Sequence, residues 1–148
     1  MKHSLTNDPV KIVWYQRLVL VVMGGSLLAL LAIAVYLSPD PRGFGTHQRL
    51  GLPPCMFLEA FEIRCPSCGM TTSWSNLVRG NVIRSIQANS GGTLLAVIAM
   101  IAGPWAFLSG CRGSWLGGWP NEWMVVFLAF VLVTVTLIDW GFRLVVGS

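Results

Sequence analysis

Three long apolar segments constrain what this chain can fold into more than any other feature. They are residues 18–37, 91–111 and 122–146, and each has close to the roughly 20 residues that a helix needs to cross a hydrocarbon layer of about 30 Å. Only 11% of the 148 residues are charged, whereas an ordinary water-soluble domain has about a quarter. We therefore predict an all-α membrane protein in which three transmembrane helices form a single domain.

The first apolar segment could be either a cleaved signal peptide or a retained membrane anchor. Ala32-Ile33-Ala34 is similar to a cleavage site for the signal peptide. However, the apolar stretch is longer than the roughly 7–15 residues of a signal-peptide core, and it continues through the bulky Tyr36 and Leu37. We therefore predict a retained first span that is preceded by a polar leader, residues 1–17.

The second and third apolar segments carry features that predict how they pack. Pro104 removes a backbone donor inside the second span and is expected to bend it. Asp139 lies near the end of the third span, so its carboxylate is expected to reach the head groups. Small residues recur in the second span at helical spacing and would allow another helix to approach closely. These residues are Gly92, Ala96, Ala99 and Gly103.

The basic residues indicate the orientation and the partners of the chain. Lys2, Lys11 and Arg17 precede the first span and slightly favour an amino terminus in the cytoplasm. Arg79 and Arg84 follow it and are expected to face lipid phosphates. The net charge of +4 fits attraction to anionic lipid, and no alternation of basic and aromatic residues suggests nucleic acid. We expect the lipid bilayer as a partner, with a membrane protein or a second copy of this chain, and no nucleic acid.

Residues 43–89, which we call the cap, are too long for a plain connection and too apolar for a disordered linker. The mixture of apolar and charged residues after Pro53-Pro54 predicts a short helix at the membrane surface. A second, amphipathic helix is expected further on, with Thr71 or Thr72 as its cap and a break at Gly80. The cap is therefore predicted to be an interfacial or re-entrant helical segment.

The cap contains a pair of cysteines, Cys65 and Cys68, in the sequence Cys-Pro-Ser-Cys-Gly. The proline and the glycine favour a tight turn that points both sulfurs at one place. Zinc requires four ligands in a closed site, and Cys55 and His47 could complete a Cys3His set. A disulfide between Cys55 and one member of the pair would equally hold the segment in shape in an oxidising compartment.

The same pair could instead carry out redox chemistry. The dipole of a following helix and the charge of Arg64 would stabilise a thiolate, Cys65 would attack, and Cys55 could receive the disulfide. The sequence carries no further quinone or flavin signature and no set of hydrolase residues. We therefore expect a non-enzymatic scaffold or accessory subunit, with a membrane thiol-disulfide oxidoreductase that uses Cys65 and Cys68 as the alternative. Cys111 is expected to be a small buried residue on the other side of the membrane.

Three stretches within about residues 45–95 carry a further signal, namely GTHQRLGLPPC, CPSCGMTTSW and VRGNVIRSIQAN. They resemble a family of short bacterial integral membrane proteins that is classed as a domain of unknown function. Its mark is Cys-Pro-x-Cys-Gly-x-Thr, followed by Arg-Gly-Asp and a later asparagine. The residues at motif positions are Cys55, Cys65, Pro66, Cys68, Gly69, Thr71, Arg79, Gly80 and Asn89.

The resemblance implies a multi-pass protein of the bacterial inner membrane that is centred on the cysteine segment, and it implies no reaction. This chain has Thr71-Thr72 where many members have Thr-Arg, and this form is similar to planctomycete-type members. Asn81 replaces an aspartate of the family, and Ser90 replaces a frequent proline. If that arginine or aspartate carries a shared activity, this chain lacks it.

Overall fold

The computed structural model describes residues 12–117 and 120–146, and every regular element in this part of the chain is a helix. Three of the helices, α1, α5 and α6, are long and apolar enough to cross a membrane. These helices confirm the predicted all-α membrane protein with three spans. The elements in chain order are α1 (Trp14–Tyr36), a 3-10 helix (Thr46–Leu50), α2 (Met56–Phe61), α3 (Met70–Leu77), α4 (Val82–Ala88), α5 (Ser90–Arg112) and α6 (Glu122–Val146).

The ends of the long helices lie close to the predicted ends of the spans. α1 begins at Trp14 instead of residue 18, so it includes the last residues of the predicted leader. α5 extends the second predicted span slightly at both ends, and α6 has the predicted bounds. Residues 1–11, with Lys2 and Lys11, lie outside the described residues.

α1 and α5 pack against each other at backbone contact. A Cβ atom on Gly24 would lie 2.5 Å from the amide nitrogen of Phe107 and 2.8 Å from the carbonyl oxygen of Gly103. Ala96 and Ala99 of α5 are fully buried. Lipid tails are as apolar as leucine, so helices in a membrane associate through close van der Waals contact more than through the hydrophobic effect. The small residues of the second span therefore form an interface, as predicted.

An arginine from a neighbouring element binds the carboxyl end of each helix in this pair. Arg17 of α1 donates from Nε to the carbonyl oxygen of Gly110 in α5, at 3.2 Å. Arg79 donates to the carbonyls of Ala34 and Val35 in α1, at 3.1 and 2.7 Å. The last carbonyls of a helix lack partners in the helix and carry partial negative charge, so a guanidinium stabilises them. These hydrogen bonds hold the Arg79 guanidinium at the end of α1, and contact of Arg79 with lipid phosphates stays a prediction.

α6 packs on α5 and leaves most of its surface exposed. Within the described residues it contacts α5 but not α1, and Gly91 of α5 lies against Thr136 with no room for a Cβ atom. The carboxyl end of α6 reaches the cap, where Trp140 Nε1 donates to the carbonyl oxygen of Arg64 at 2.8 Å. The cap is therefore held where the carboxyl ends of α1 and α6 meet the amino end of α5.

Candidate metal centre

Hydroxyl groups form the centre of the cap. The Ser73, Ser85 and Thr93 hydroxyl oxygens lie 2.8 to 3.0 Å from one another and join α3, α4 and α5. The Thr46 and Thr72 hydroxyls, 2.7 Å apart, join the 3-10 helix to α3. All five side chains are buried. Because a buried polar group is costly unless it is paired, this network accepts few alternative arrangements of the four helices.

The amphipathic helix predicted in the cap begins differently from the prediction, but it is interrupted where the sequence indicates. α3 starts after Gly69, which occupies the N-cap position of the helix in a left-handed conformation (φ 88°). No side chain in the described part of the chain makes a hydrogen bond to this helix end. Thr72 pairs with Thr46 instead, so the prediction that Thr71 or Thr72 caps the helix was wrong. Gly80, also left-handed (φ 79°), separates α3 from α4 and confirms the predicted break.

The segment of residues 64–69, which we call the cysteine turn, brings Cys65 and Cys68 together. The Cys68 amide donates to the carbonyl oxygen of Cys65 at 3.0 Å and closes the turn. A Cβ atom on Gly69 would overlap the carbonyl oxygen of Ala88 and lie 2.9 Å from that of Gly43. Glycine is therefore required at residue 69 by its backbone conformation and also by the space around it.

Asn89 holds the cysteine turn against the second span. Its fully buried side chain donates from Nδ2 to the carbonyls of Pro66 and Cys68, at 2.9 and 3.0 Å. Its Oδ1 accepts from the Gly92 amide at 2.6 Å and caps α5. In the sequence, the family resemblance is what distinguishes Asn89 from its neighbours. An asparagine directly before a helical apolar run is the signal that could have indicated the capping role.

Three of the four predicted metal ligands come together at this turn. Cys65 Sγ lies 3.6 Å from Cys55 Sγ and 3.4 Å from Cys68 Sγ. The three sulfurs all lie within 4.8 Å of one another. Cys68 is buried and the other two are partly buried, and no disulfide joins any of the three in the structure. This arrangement places the three sulfurs close enough to bind one metal ion.

The spacing of the sulfurs can be compared with known chemistry. Zinc binds thiolate at about 2.3 Å in a tetrahedral arrangement, which places neighbouring sulfurs about 3.8 Å apart. A disulfide joins two sulfurs at about 2.05 Å. The distances of 3.4 and 3.6 Å around Cys65 are much closer to the zinc arrangement. Thiolate ligands favour zinc, copper(I) and iron–sulfur clusters over magnesium or calcium.

His47, the fourth predicted ligand, is not brought to the sulfurs. It lies in the 3-10 helix, and its Nε2 is 3.3 Å from the carbonyl oxygen of Pro53. Neither of its ring nitrogens belongs to the group of ligand atoms within 4.8 Å. The imidazole nevertheless lines the same pocket as the three cysteines. Its role as a ligand stays a prediction.

The protein shifts the pKa values of two of the cysteines in opposite directions. The backbone amide of Leu58 donates toward Cys55 and lowers the pKa of its thiol, which lies at the start of α2. Burial raises the pKa of Cys68 to about 12, because the charged thiolate loses its hydration there. Without a bound cation, Cys55 therefore forms a thiolate more readily than Cys68 does.

Two arginines lie beside the cysteine turn. Arg64 stacks over the Phe44 ring, 4.3 Å from its centre, and has no carboxylate partner among the described residues. Arg143 of α6 donates to the carbonyl oxygen of Cys68 at 3.1 Å and forms an ion pair with Asp139 at 2.5 Å. Asp139 thus pairs with an arginine beside the cysteine turn, and its reach to the head groups stays a prediction. Since Asp139 neutralises Arg143, this pair adds no net charge beside the cysteine turn, whereas Arg64 keeps its positive charge.

Cys111 lies at the other end of α5, which is the membrane side predicted for it. It is exposed, so the expectation that it is a small buried residue was wrong. α5 is 23 residues long, which at 1.5 Å per residue separates Cys111 from the three clustered cysteines by about 30 Å. Cys111 takes no part in the candidate metal centre.

A family model described as a protein of unknown function, DUF2752, matches residues 55–103. The match covers about a third of the chain and includes the three clustered cysteines, Asn89 and the first half of α5. It confirms the resemblance to a family of unknown function and names no activity. No curated protein and no solved structure matches the chain.

Proposed function

We propose that Cys55, Cys65 and Cys68 bind a zinc ion that holds the cap in shape, and that the chain acts as a non-enzymatic scaffold or accessory subunit in a membrane. The single observation that carries this proposal is the distance between the sulfurs, 3.4 and 3.6 Å around Cys65. These two distances are close to two edges of a zinc–thiolate tetrahedron, and the third pair of sulfurs lies within 4.8 Å. The positive charge of the ion would offset the repulsion between three neighbouring thiolates.

The weak attachment of α2 supports a structural role for the ion. α2 has no buried residue, and Met56 and Phe61 are 80% and 62% exposed. Cys55 stands at its first turn and is its link to the cysteine turn. Metal binding contributes directly to folding where a segment cannot bury enough apolar surface by itself. Zinc would therefore order residues 51–63 against the remainder of the cap.

The connections of the cap to all three spans support a scaffold role. Arg79 binds the end of α1, Asn89 caps α5, and Arg143 of α6 binds the Cys68 carbonyl. A metal bound at the cysteine turn would fix these three ends relative to one another. The largely exposed surface of α6 leaves room in the membrane for lipid and for a partner.

Metal analysis combined with thiol counting tests the proposal. Purified wild-type protein is expected to contain about one zinc per chain and to show all four cysteines as free thiols after denaturation. Cys65→Ser should lose the zinc, since Cys65 is the central ligand, whereas Cys111→Ser should keep it. A protein with a disulfide and no zinc, or with four free thiols and no zinc, would contradict the proposal.

A thiol-disulfide oxidoreductase remains the second candidate, because Cys65 lies within 3.6 Å of both other sulfurs. In that reaction the Cys65 thiolate attacks a substrate disulfide and releases one substrate thiol. Cys68 then attacks Cys65, releases the second thiol and closes a Cys65–Cys68 disulfide. Burial, which raises the pKa of Cys68, disfavours this second attack. Cys68→Ser should accumulate a mixed disulfide on Cys65 if this candidate is correct. No adduct should form if the cysteines bind a zinc ion.

A further inference from the structure

We infer that the metal centre keeps its fourth coordination position open to a pocket, and that this position takes a small neutral nitrogen donor of the imidazole class from solution. The inference rests on the proposed zinc site and adds to it a second, exchangeable ligand. A purely structural zinc site would not need a pocket for an exchangeable ligand.

A pocket of about 240 Å³ lies directly beside the three sulfurs. Because a water molecule occupies about 30 Å³ in the liquid, this volume accommodates a small organic molecule. The three cysteines form part of its wall. Further lining residues are Phe44, Gln48, Leu58, Ser67 and Thr71. The sulfurs thus meet a space of the right size for an exchangeable ligand.

Among the described residues, no further His, Cys, Asp or Glu side chain joins the three sulfurs. His47 lines the pocket, but its Nε2 lies 3.3 Å from the carbonyl of Pro53 and outside the group of ligand atoms within 4.8 Å. Zinc sites with three protein ligands and one exchangeable ligand are the arrangement that proteins use when a small molecule must reach the metal. The pocket gives that access here.

The charges around the site select a neutral donor. A zinc ion with three thiolates has a net charge of −1, and Arg64 beside the Phe44 wall has a charge of +1. Arg143 adds nothing to this sum because Asp139 neutralises it. A further thiolate or carboxylate would leave an uncompensated negative charge beside the apolar Phe44 and Leu58. A neutral nitrogen donor leaves the sum at zero and suits the borderline-soft zinc ion.

Cobalt substitution of the full-length protein in detergent tests this inference, since the absorption bands of cobalt(II) report its sulfur ligands and its coordination number separately. Wild type and His47→Gln are both expected to show sulfur-to-cobalt charge-transfer bands of equal intensity. Added imidazole should shift the d–d bands of both proteins saturably and to the same extent. Thr71→Phe should keep the charge-transfer bands, and its larger side chain in the pocket should weaken the imidazole response by about tenfold or more.

The outcomes separate the two proposals. If wild type shows no cobalt–sulfur bands, the metal site itself is refuted, and the open position with it. If the bands form but His47→Gln alters the tetrahedral d–d bands, His47 is the fourth ligand and the inference is wrong. If the bands form but do not shift when imidazole is added to wild type and to His47→Gln, the inference is also wrong, while the metal site stands.

Discussion

The cap and the α1–α5 pair are stabilised by different interactions. Between α1 and α5, glycine and alanine let the backbones touch, as at Gly24 and Gly103. In the cap, buried hydroxyls and the amide of Asn89 connect the short helices, in addition to the apolar contact that Trp74 of α3 makes with the α1–α5 pair. The difference follows from the surroundings. In lipid only shape distinguishes one apolar surface from another, whereas at the membrane surface water competes for each polar group, so a buried network has to be fully paired.

The two regions therefore respond to different kinds of substitution. Between the arginine contacts at its two ends, the helix pair should be sensitive to added volume and insensitive to the loss of a polar atom. The cap should be sensitive to the loss of one hydrogen-bonding atom at constant volume. Four substitutions, each with a matched control, test this difference.

The largest effect is expected for Asn89→Ala in the cap. The substitution leaves the buried carbonyls of Pro66 and Cys68 and the amide of Gly92 without this partner. We expect a loss of about 3 kcal/mol in the free energy of unfolding in detergent, because each unpaired buried group costs about 1 kcal/mol or more. Asn81→Ala is the control, since the exposed Asn81 side chain makes no capping hydrogen bond. Similar losses for both variants would contradict the account.

Gly24→Ala should come next, with a loss of about 2 kcal/mol from overpacking between α1 and α5. The new methyl group would meet the backbone of Phe107, which cannot move aside cheaply. Gly25→Ala adds the same methyl group where the nearest atom is 3.9 Å away. This control should change the stability by less than about 0.5 kcal/mol. Equal effects in the two variants would show that backbone contact does not determine the packing of this pair.

Arg79→Ala should cost about 1.5 kcal/mol, because charge-assisted hydrogen bonds to the end of α1 are lost. Arg84→Ala removes the same charge from an exposed position of α4. If Arg79 only attracted lipid phosphates, both variants would weaken binding to anionic vesicles equally and neither would change the stability. A stability loss confined to Arg79→Ala supports the capping role.

The smallest effect is expected for Trp140→Phe, at about 1 kcal/mol. This change keeps the aromatic volume but removes the indole N–H that binds the Arg64 carbonyl. Trp123→Phe at the other end of α6 is the control, because Trp123 is 81% exposed. The Trp140 variant should also bind zinc less tightly than wild type. Unchanged metal affinity would mean that α6 does not help to hold the cysteine turn.

The spans and the break at Gly80 could be predicted from the sequence because each depends on local properties. Length and apolar content define a span. A glycine between two polar, amphipathic stretches, as at Gly80, easily takes the left-handed conformation that ends a helix. The partners of Arg79 and Asp139, and the bonds of Asn89 to the cysteine turn, could not be predicted in the same way. Each side chain binds a partner that is distant in sequence or competes with solvent, and only the packed structure decides between these choices.

The cluster of cysteines could be predicted in part for the same reason. The spacing of Cys65 and Cys68 places two sulfurs together within one turn, so the sequence suffices for that pair. The approach of Cys55 depends on how α2 folds back on the turn. The position of His47 depends on the 3-10 helix and its contact with Pro53. The sequence suggests Cys55 and His47 as ligands, but it does not show how far from the cysteine turn the fold puts them.

Hydrogen exchange with and without zinc tests the central claim most directly, because it compares the cap with the helix pair in one experiment. If zinc holds the cap in shape, removing it with a chelator should speed exchange of the amides in residues 55–69 by about tenfold or more, while residues 24–34 of α1 stay unchanged. Cys111→Ser should behave like wild type. Equal exchange of residues 55–69 with and without zinc would contradict the account.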